Sequence, residues 1–183
     1  MYLRSPIFDA VEVAASIVAN RVNEFAGGLE GLLKLADPAG DCAWGAFMAA
    51  SKTAIASNAT DVFITLVNTY GTSPDPWCRG LSANYFSKWL RDASESVRTQ
   101  AFLDQQALLR QLLHDEDIWP VQEIFHVMQE FSESLLSQGI DWHERLSASS
   151  APIVASVPRW QHESCGWAEF ESAATAAKSS RAL

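Results

Sequence analysis

This chain of 183 residues lacks most of the features that announce a chemistry. It has three cysteines, Cys42, Cys78 and Cys165, an odd number at wide spacing. That argues against a disulfide framework and fits a reducing compartment. No Cys-x-x-Cys pair is present, so a zinc ribbon is excluded. No run approaches the ~18 apolar residues of a membrane-spanning helix. The first residues hold no basic stretch leading into an apolar run, so no signal peptide is expected and the reading is a soluble, cytoplasmic protein. Without secretion the sequon Asn58-Ala59-Thr60 has no meaning. A Walker-type loop, a Gly-x-Ser-x-Gly elbow and a dinucleotide fingerprint are all missing. Basic residues are scarce: 13 Lys and Arg stand against 22 Asp and Glu, a net charge of −9. Such a chain repels phosphate backbones, which excludes nucleic acid as a general partner.

What is present is apolar material, 48% of the residues, arranged with helical periodicity. Ser5 and Pro6 form a helix start, and Val11, Ala14, Ala15, Val18, Val22 and Phe25 follow on one face. Gly27-Gly28 interrupts, Leu29, Leu32 and Leu33 resume the stripe, and Asp37-Pro38-Ala39-Gly40 is a turn. Asp41 is placed to cap an Ala-rich helix whose apolar face is Trp44, Phe47, Met48 and Ile55. The β-branched run Val62–Val67 is read as helix because no partner strand is visible. Gly71–Gly80, with Pro74 and Pro76, reads as a loop. A long helix is expected from Ser82, with Phe86, Leu90, Ala93, Val97, Ala101, Leu108 and Leu112 on one side. Trp119-Pro120 punctuates, and Val121, Ile124, Phe125, Met128, Phe131 and Leu135 form the cleanest stripe, closed by Gly139. The expected fold is all-α: amphipathic helical hairpins in a bundle or coiled-coil-like assembly. The organisation is a first hairpin (1–72), a Pro/Gly loop (73–81), a second hairpin (82–146), and a Ser/Ala/Pro-rich connection with a short terminal helix (147–183).

An offset of 80 residues lays Leu29, Leu32, Leu33 and Asp37 on Leu109, Leu112, Leu113 and Asp117, and Met48 on Met128. Duplication would produce this match, and so would two unrelated helical hairpins. The candidate chemical constellations are incomplete. Glu123-Ile-Phe-His126 has di-iron ligand spacing, but such sites need a second motif and two more glutamates. His114-Asp115-Glu116-Asp117 falls at a helix break, where charges are usually solvated. His162 and Cys165 are sequence neighbours, whereas a catalytic pair usually meets only in the fold. No catalytic, cofactor-binding or metal residue is therefore assigned, and no cofactor is expected.

The helix Val11–Phe25, the Asp37-Pro38 break, the Ala-rich helix after Asp41, their counterparts Leu108–Leu113 and Val121–Gln138, and the tail Phe170–Ser180 together resemble the phasins. These are small helical proteins that coat polyhydroxyalkanoate storage granules. The seven tryptophans and the acidic middle segment depart from that family's pattern. The resemblance implies a non-enzymatic protein whose apolar stripes adsorb to a hydrophobic polyester surface, with self-association and an acidic outer face. The alternative is an acidic adaptor, inhibitor or immunity-type protein that binds a basic protein through Leu81–Arg145, which holds five basic and eleven acidic residues. A ferritin-like or Cys-dependent enzyme is the third class. The candidate interaction residues are Val11, Val18, Val22, Phe25, Trp44, Phe47, Trp89 and Trp119, with Asp115, Glu116 and Asp117.

Overall fold

Apolar stripes at helical spacing fold as helices in a computed structural model, which describes residues 8–147. Among them lie ten α-helices, one 3-10 turn at Val22–Glu24 and no strand. The start at Ser5-Pro6, the connection and helix expected beyond residue 147, Trp160, Trp167 and the His162/Cys165 pair lie outside the described residues. The chain divides into two units, Met1–Tyr85 and Phe86–Leu183.

In the first unit α1 (Phe8–Asn20), α2 (Gly28–Leu35) and α4 (Thr60–Gly71) all pack on α3 (Ala43–Ala56). The β-branched run thus becomes part of α4, with Phe63, Leu66 and Val67 in the core. Gly27-Gly28 interrupts the helix as expected, and both glycines are left-handed, at φ 83° and 56°. The turn at Asp37 forms as expected: its Oδ1 accepts the Ala39 N–H at 3.0 Å and its carbonyl the Gly40 N–H at 2.8 Å. The expected cap Asp41 is displaced, because the N-cap position of α3 falls on Cys42. The apolar face assigned to α3 also differs from the observed one. Ile55 and Trp44 are only half-buried, whereas Ala46, Ala49, Ala50 and Ala54 are fully enclosed. With neighbours on several sides, α3 has no single apolar face, and its small residues let the other helices approach.

α5 (Pro76–Asp92) starts earlier than the sequence suggested, within the expected loop. Proline needs no N–H in a first turn, and Asp75 Oδ1 accepts the Trp77 N–H at 3.0 Å. The division between units falls inside this helix.

In the second unit the single long helix expected from Ser82 is broken into α5, α6 (Glu95–Asp104) and α7 (Gln106–Leu113). Ser94 is extended, and Arg98 donates to the carbonyls of Leu90 and Ala93 at 3.0 Å each, satisfying the open end of α5. Trp119-Pro120 does not punctuate; both lie in the first turn of α8 (Ile118–Glu130), which Asp117 caps through the Trp119 N–H at 3.0 Å. The next helices are α9 (Ser132–Ser137) and α10 (Trp142–Ser147), and α10 packs on α7 and α9. Gly139, at φ 74°, ends α9 in the left-handed conformation, with the Ile140 N–H returning to the Leu135 carbonyl at 2.9 Å.

The stripe Val121, Ile124, Phe125, Met128, Phe131 and Leu135 is buried throughout. Phe125 meets the Trp142 ring edge-on at 6.4 Å. Phe125→Ala should therefore lower stability by about 3–5 kcal/mol, read as a fall in the denaturant midpoint. An unchanged midpoint would mean that α8 does not pack through this face.

Candidate functional site

The interaction candidates of the first unit divide by burial. Val11 and Phe47 are core, and Phe47 stacks on Tyr70 at 4.1 Å. Val18, Val22 and Phe25 are half-buried at the end of α1 and the turn after it. The exposed apolar residues of α1 are others, Val13 and Ile17, at 60% and 56% exposure and one turn apart. Sequence reading missed them because they lie off the stripe that faces α3.

Trp44 stacks on the exposed Trp77 at 5.5 Å and donates its Nε1–H to Asp75 Oδ2 at 3.4 Å. Cys78 Sγ lies 3.5 Å from the same oxygen. Burial, then the Asp75 charge, pushes the Cys78 thiol up to about 11, so it stays protonated and is no nucleophile at neutral pH. Tyr70 donates to the Ala43 carbonyl at 2.6 Å, and its hydroxyl is held far above the ordinary tyrosine range by burial and by the negative charge around it. Arg79 is buried and donates to the carbonyls of Ser73 and Pro74 at 3.0 and 2.9 Å. Asp75 and Arg79 hold the start of α5 in place, and Tyr70 ties α4 to the start of α3.

A concave feature of the same unit runs between the end of α2 and α4. It is an open groove of about 520 Å³. Leu33, Ala36, Pro38, Val62 and Leu66 line it, together with Thr65, Thr69 and the carboxylates Asp37 and Asp61.

In the second unit the acidic break is not a solvated loop. Asp115 is buried and accepts the Asp117 N–H at 2.9 Å, Asp117 caps α8, and only Glu116 is exposed. Trp89 and Trp119 are half-buried: Trp89 stacks on Phe86 at 5.8 Å, and Trp119 donates to Glu123 Oε1 at 3.2 Å. Glu123 is therefore engaged beside Trp119, while His126 is exposed. Among the described residues no three His, Cys, Asp or Glu side chains stand together as a metal site would require.

His114, also expected in solvent, is buried at the end of α7. Burial lowers its pKa, a hydrogen bond with the Leu146 backbone opposes the shift, and the Arg110 charge adds to it. Arg110 itself donates to the Arg145 carbonyl of α10 at 2.9 Å. His143 stacks on Trp142 at 3.7 Å, and burial lowers its pKa against the opposing charge of Asp141. Comparison with family models, with curated proteins and with solved structures returns no match for this chain.

The two histidines set a pH dependence. Their folded pKa values lie below the ordinary 6.5, so the unfolded chain binds more protons in the interval between. Their contribution to stability is complete above 6.5 and is lost as pH falls through the lowered values. Urea midpoints should thus fall between about pH 7.5 and about pH 5, and the combined His114→Gln and His143→Gln variant should show a flatter profile. An identical profile in that variant would assign the acid sensitivity elsewhere.

Proposed function

We propose that the chain is a non-enzymatic helical binding protein, an adaptor or inhibitor, that takes a basic protein partner on the acidic surface of its second unit. The observation that carries this reading is how that unit uses its charges. Arg98 lies 3.8 Å over the Phe131 ring and donates to the helix carbonyls behind it. Arg110 donates to α10, and Arg91 pairs with Glu130 at 2.8 Å. Asp92, Glu95, Asp104, Glu116, Glu130, Glu133 and Glu144 are exposed. These seven exposed carboxylates outnumber the exposed cations Lys88, Arg91 and Arg145 and leave a net negative surface that steers a basic partner.

The test is titration of a basic Leu/Lys helical peptide at about 0.1 M and about 1 M salt, where the Debye length shrinks from about 10 Å to about 3 Å. Affinity should fall steeply with salt. The triple reversal Glu116→Lys, Glu133→Lys, Glu144→Lys should weaken binding, while reversal of Asp9, Glu24 and Glu30 in the first unit should not. Asp115 and Asp117 are unsuitable for reversal because they build the start of α8. Equal effects of the two triple reversals would reduce the interaction to unspecific charge and defeat the reading.

One observation favours the phasin-like alternative, adsorption to a hydrophobic granule or self-association on the same face: the exposed pair Val13 and Ile17 on α1. Adsorption through it should survive high salt, because salt does not screen apolar burial. Val13→Ser with Ile17→Ser should abolish polyester or oil-droplet association without unfolding the chain. Val11, being core, cannot serve in that test. Absence of association in the unmodified protein at every salt concentration would remove this second reading.

A further inference from the structure

The groove of the first unit is not used by the acidic-surface reading, and its chemistry is different. Its volume of about 520 Å³ lies within the range of small-molecule sites, about 300–1,000 Å³. Leu33, Ala36, Pro38, Val62 and Leu66 present carbon. The hydroxyls of Thr65 and Thr69 donate to the carbonyls of Asp61 and Thr65 at 2.8 Å each, so their hydrogens are committed to α4. The charged polar groups that remain are Asp37 and Asp61, both exposed. Asp37 holds the Ala39 N–H through Oδ1, which leaves Oδ2 outside that turn. No Lys, Arg or His lines the groove. Among the described residues neither carboxylate belongs to an ion pair, and Lys34, on the neighbouring α2, is paired with Glu30 at 2.9 Å.

An apolar trough with two carboxylates and no cation of its own complements one ligand class. An anionic ligand would meet like charge, and a neutral hydrocarbon would gain nothing from Asp37 or Asp61. We infer that this groove binds a small amphipathic amine, with its alkyl body on the carbon walls and its ammonium head against Asp37 and Asp61. The alkyl part supplies affinity by leaving water, and the carboxylates select the charge.

The test is amide-resolved NMR titration of the full chain with n-hexylammonium, 1-hexanol and hexanoate. Hexylammonium should give saturable shifts confined to residues 33–38 and 61–69. Two exposed carboxylates acting together should favour it over hexanol by several-fold, about three- to tenfold. Hexanoate should not bind. Asp61→Asn, a change of an exposed group to its neutral isostere, should weaken the amine about three- to fivefold and leave hexanol unchanged. Thr65→Trp should fill the groove and remove both; if that variant does not fold, Asp61→Asn alone decides. Equal affinity for hexanol and hexylammonium would overturn the inference. So would amine shifts spread over Glu95, Glu116 and Glu133, which would mark an unspecific counter-ion. Groove shifts that appear with a Leu/Lys peptide but not with hexylammonium would assign the groove to a protein partner. Groove shifts that follow protein concentration alone would assign it to a second copy. Because the groove and the acidic surface are read at different amides, failure of one leaves the other standing.

Discussion

A helix packed on by several others must be thin, and that constraint organises the first unit. α3 is built from Ala43, Gly45, Ala46, Ala49, Ala50, Ser51 and Ala54, all buried, with Phe47 and Met48 as its only large enclosed side chains. Small side chains bring the neighbouring backbones close, and dispersion contacts then accumulate over α1, α2 and α4. Of the buried polar groups in this helix, Thr53 is satisfied by the Ala49 carbonyl at 2.8 Å, whereas the Ser51 hydroxyl has no hydrogen-bond partner. The same need for closeness explains why Ser82, in the first-unit part of α5, faces the Val67 carbonyl at 2.7 Å where a larger side chain would hold the helices apart.

A second regularity concerns helix ends. Asp75 and Asp117 each accept the N–H of a tryptophan two residues on, at 3.0 Å in both cases, and Asp141 takes the N–H groups of His143 and Glu144 at 3.1 and 3.2 Å. Aspartates thus start α5, α8 and α10, while Arg98 closes α5. Anions at N-termini and cations at C-termini both oppose the helix dipole favourably. In an acidic chain the outcome is asymmetric. The few arginines of the second unit are largely taken up by this work and by Glu130, whereas most of the carboxylates are surplus to it and remain on the surface.

What could be read from the sequence follows from how local each determinant is. The α8 stripe was legible because its face is continuous and polar residues fill the opposite side, so the 3.6-residue period is unambiguous. Gly139 and the Asp37 turn were legible because they depend on one residue's own backbone or side chain. α3 differs from its expected face because a helix with neighbours on several sides has a weak apolar period, its small alanines being buried along with Phe47 and Met48. The long helix from Ser82 was misread because its stripe continues in phase across the Ser94 break, which Arg98 stabilises from four residues away. The burial of His114 and Asp115 is tertiary: α10 and α8 both pack on α7 at that break, and the Leu146 backbone reaches His114. The aspartate-x-tryptophan starts of α5 and α8 were present in the sequence as a good N-cap residue, and they went unread because proline and tryptophan nearby suggested a loop.

The groove had no sequence signal, since its two walls come from segments whose closest members, Pro38 and Asp61, belong to different helix junctions. Its existence follows from the same thin helix that builds the unit. α2 and α4 both rest on α3, and the groove runs between them, where the Asp37 turn leads from α2 towards α3. A larger residue than Ala36 at the end of α2 would project where the groove now lies. Both carboxylates at its rim have local reasons to be there: Asp37 makes the turn, and Asp61 stands in the first turn of α4 where a negative charge suits the helix dipole. Structural duty and the proposed ligand selection are compatible because each duty engages only part of the carboxylate. A turn needs one oxygen of Asp37, and the dipole needs only the charge of Asp61, so both carboxylates keep acceptor capacity at the edge of an apolar trough.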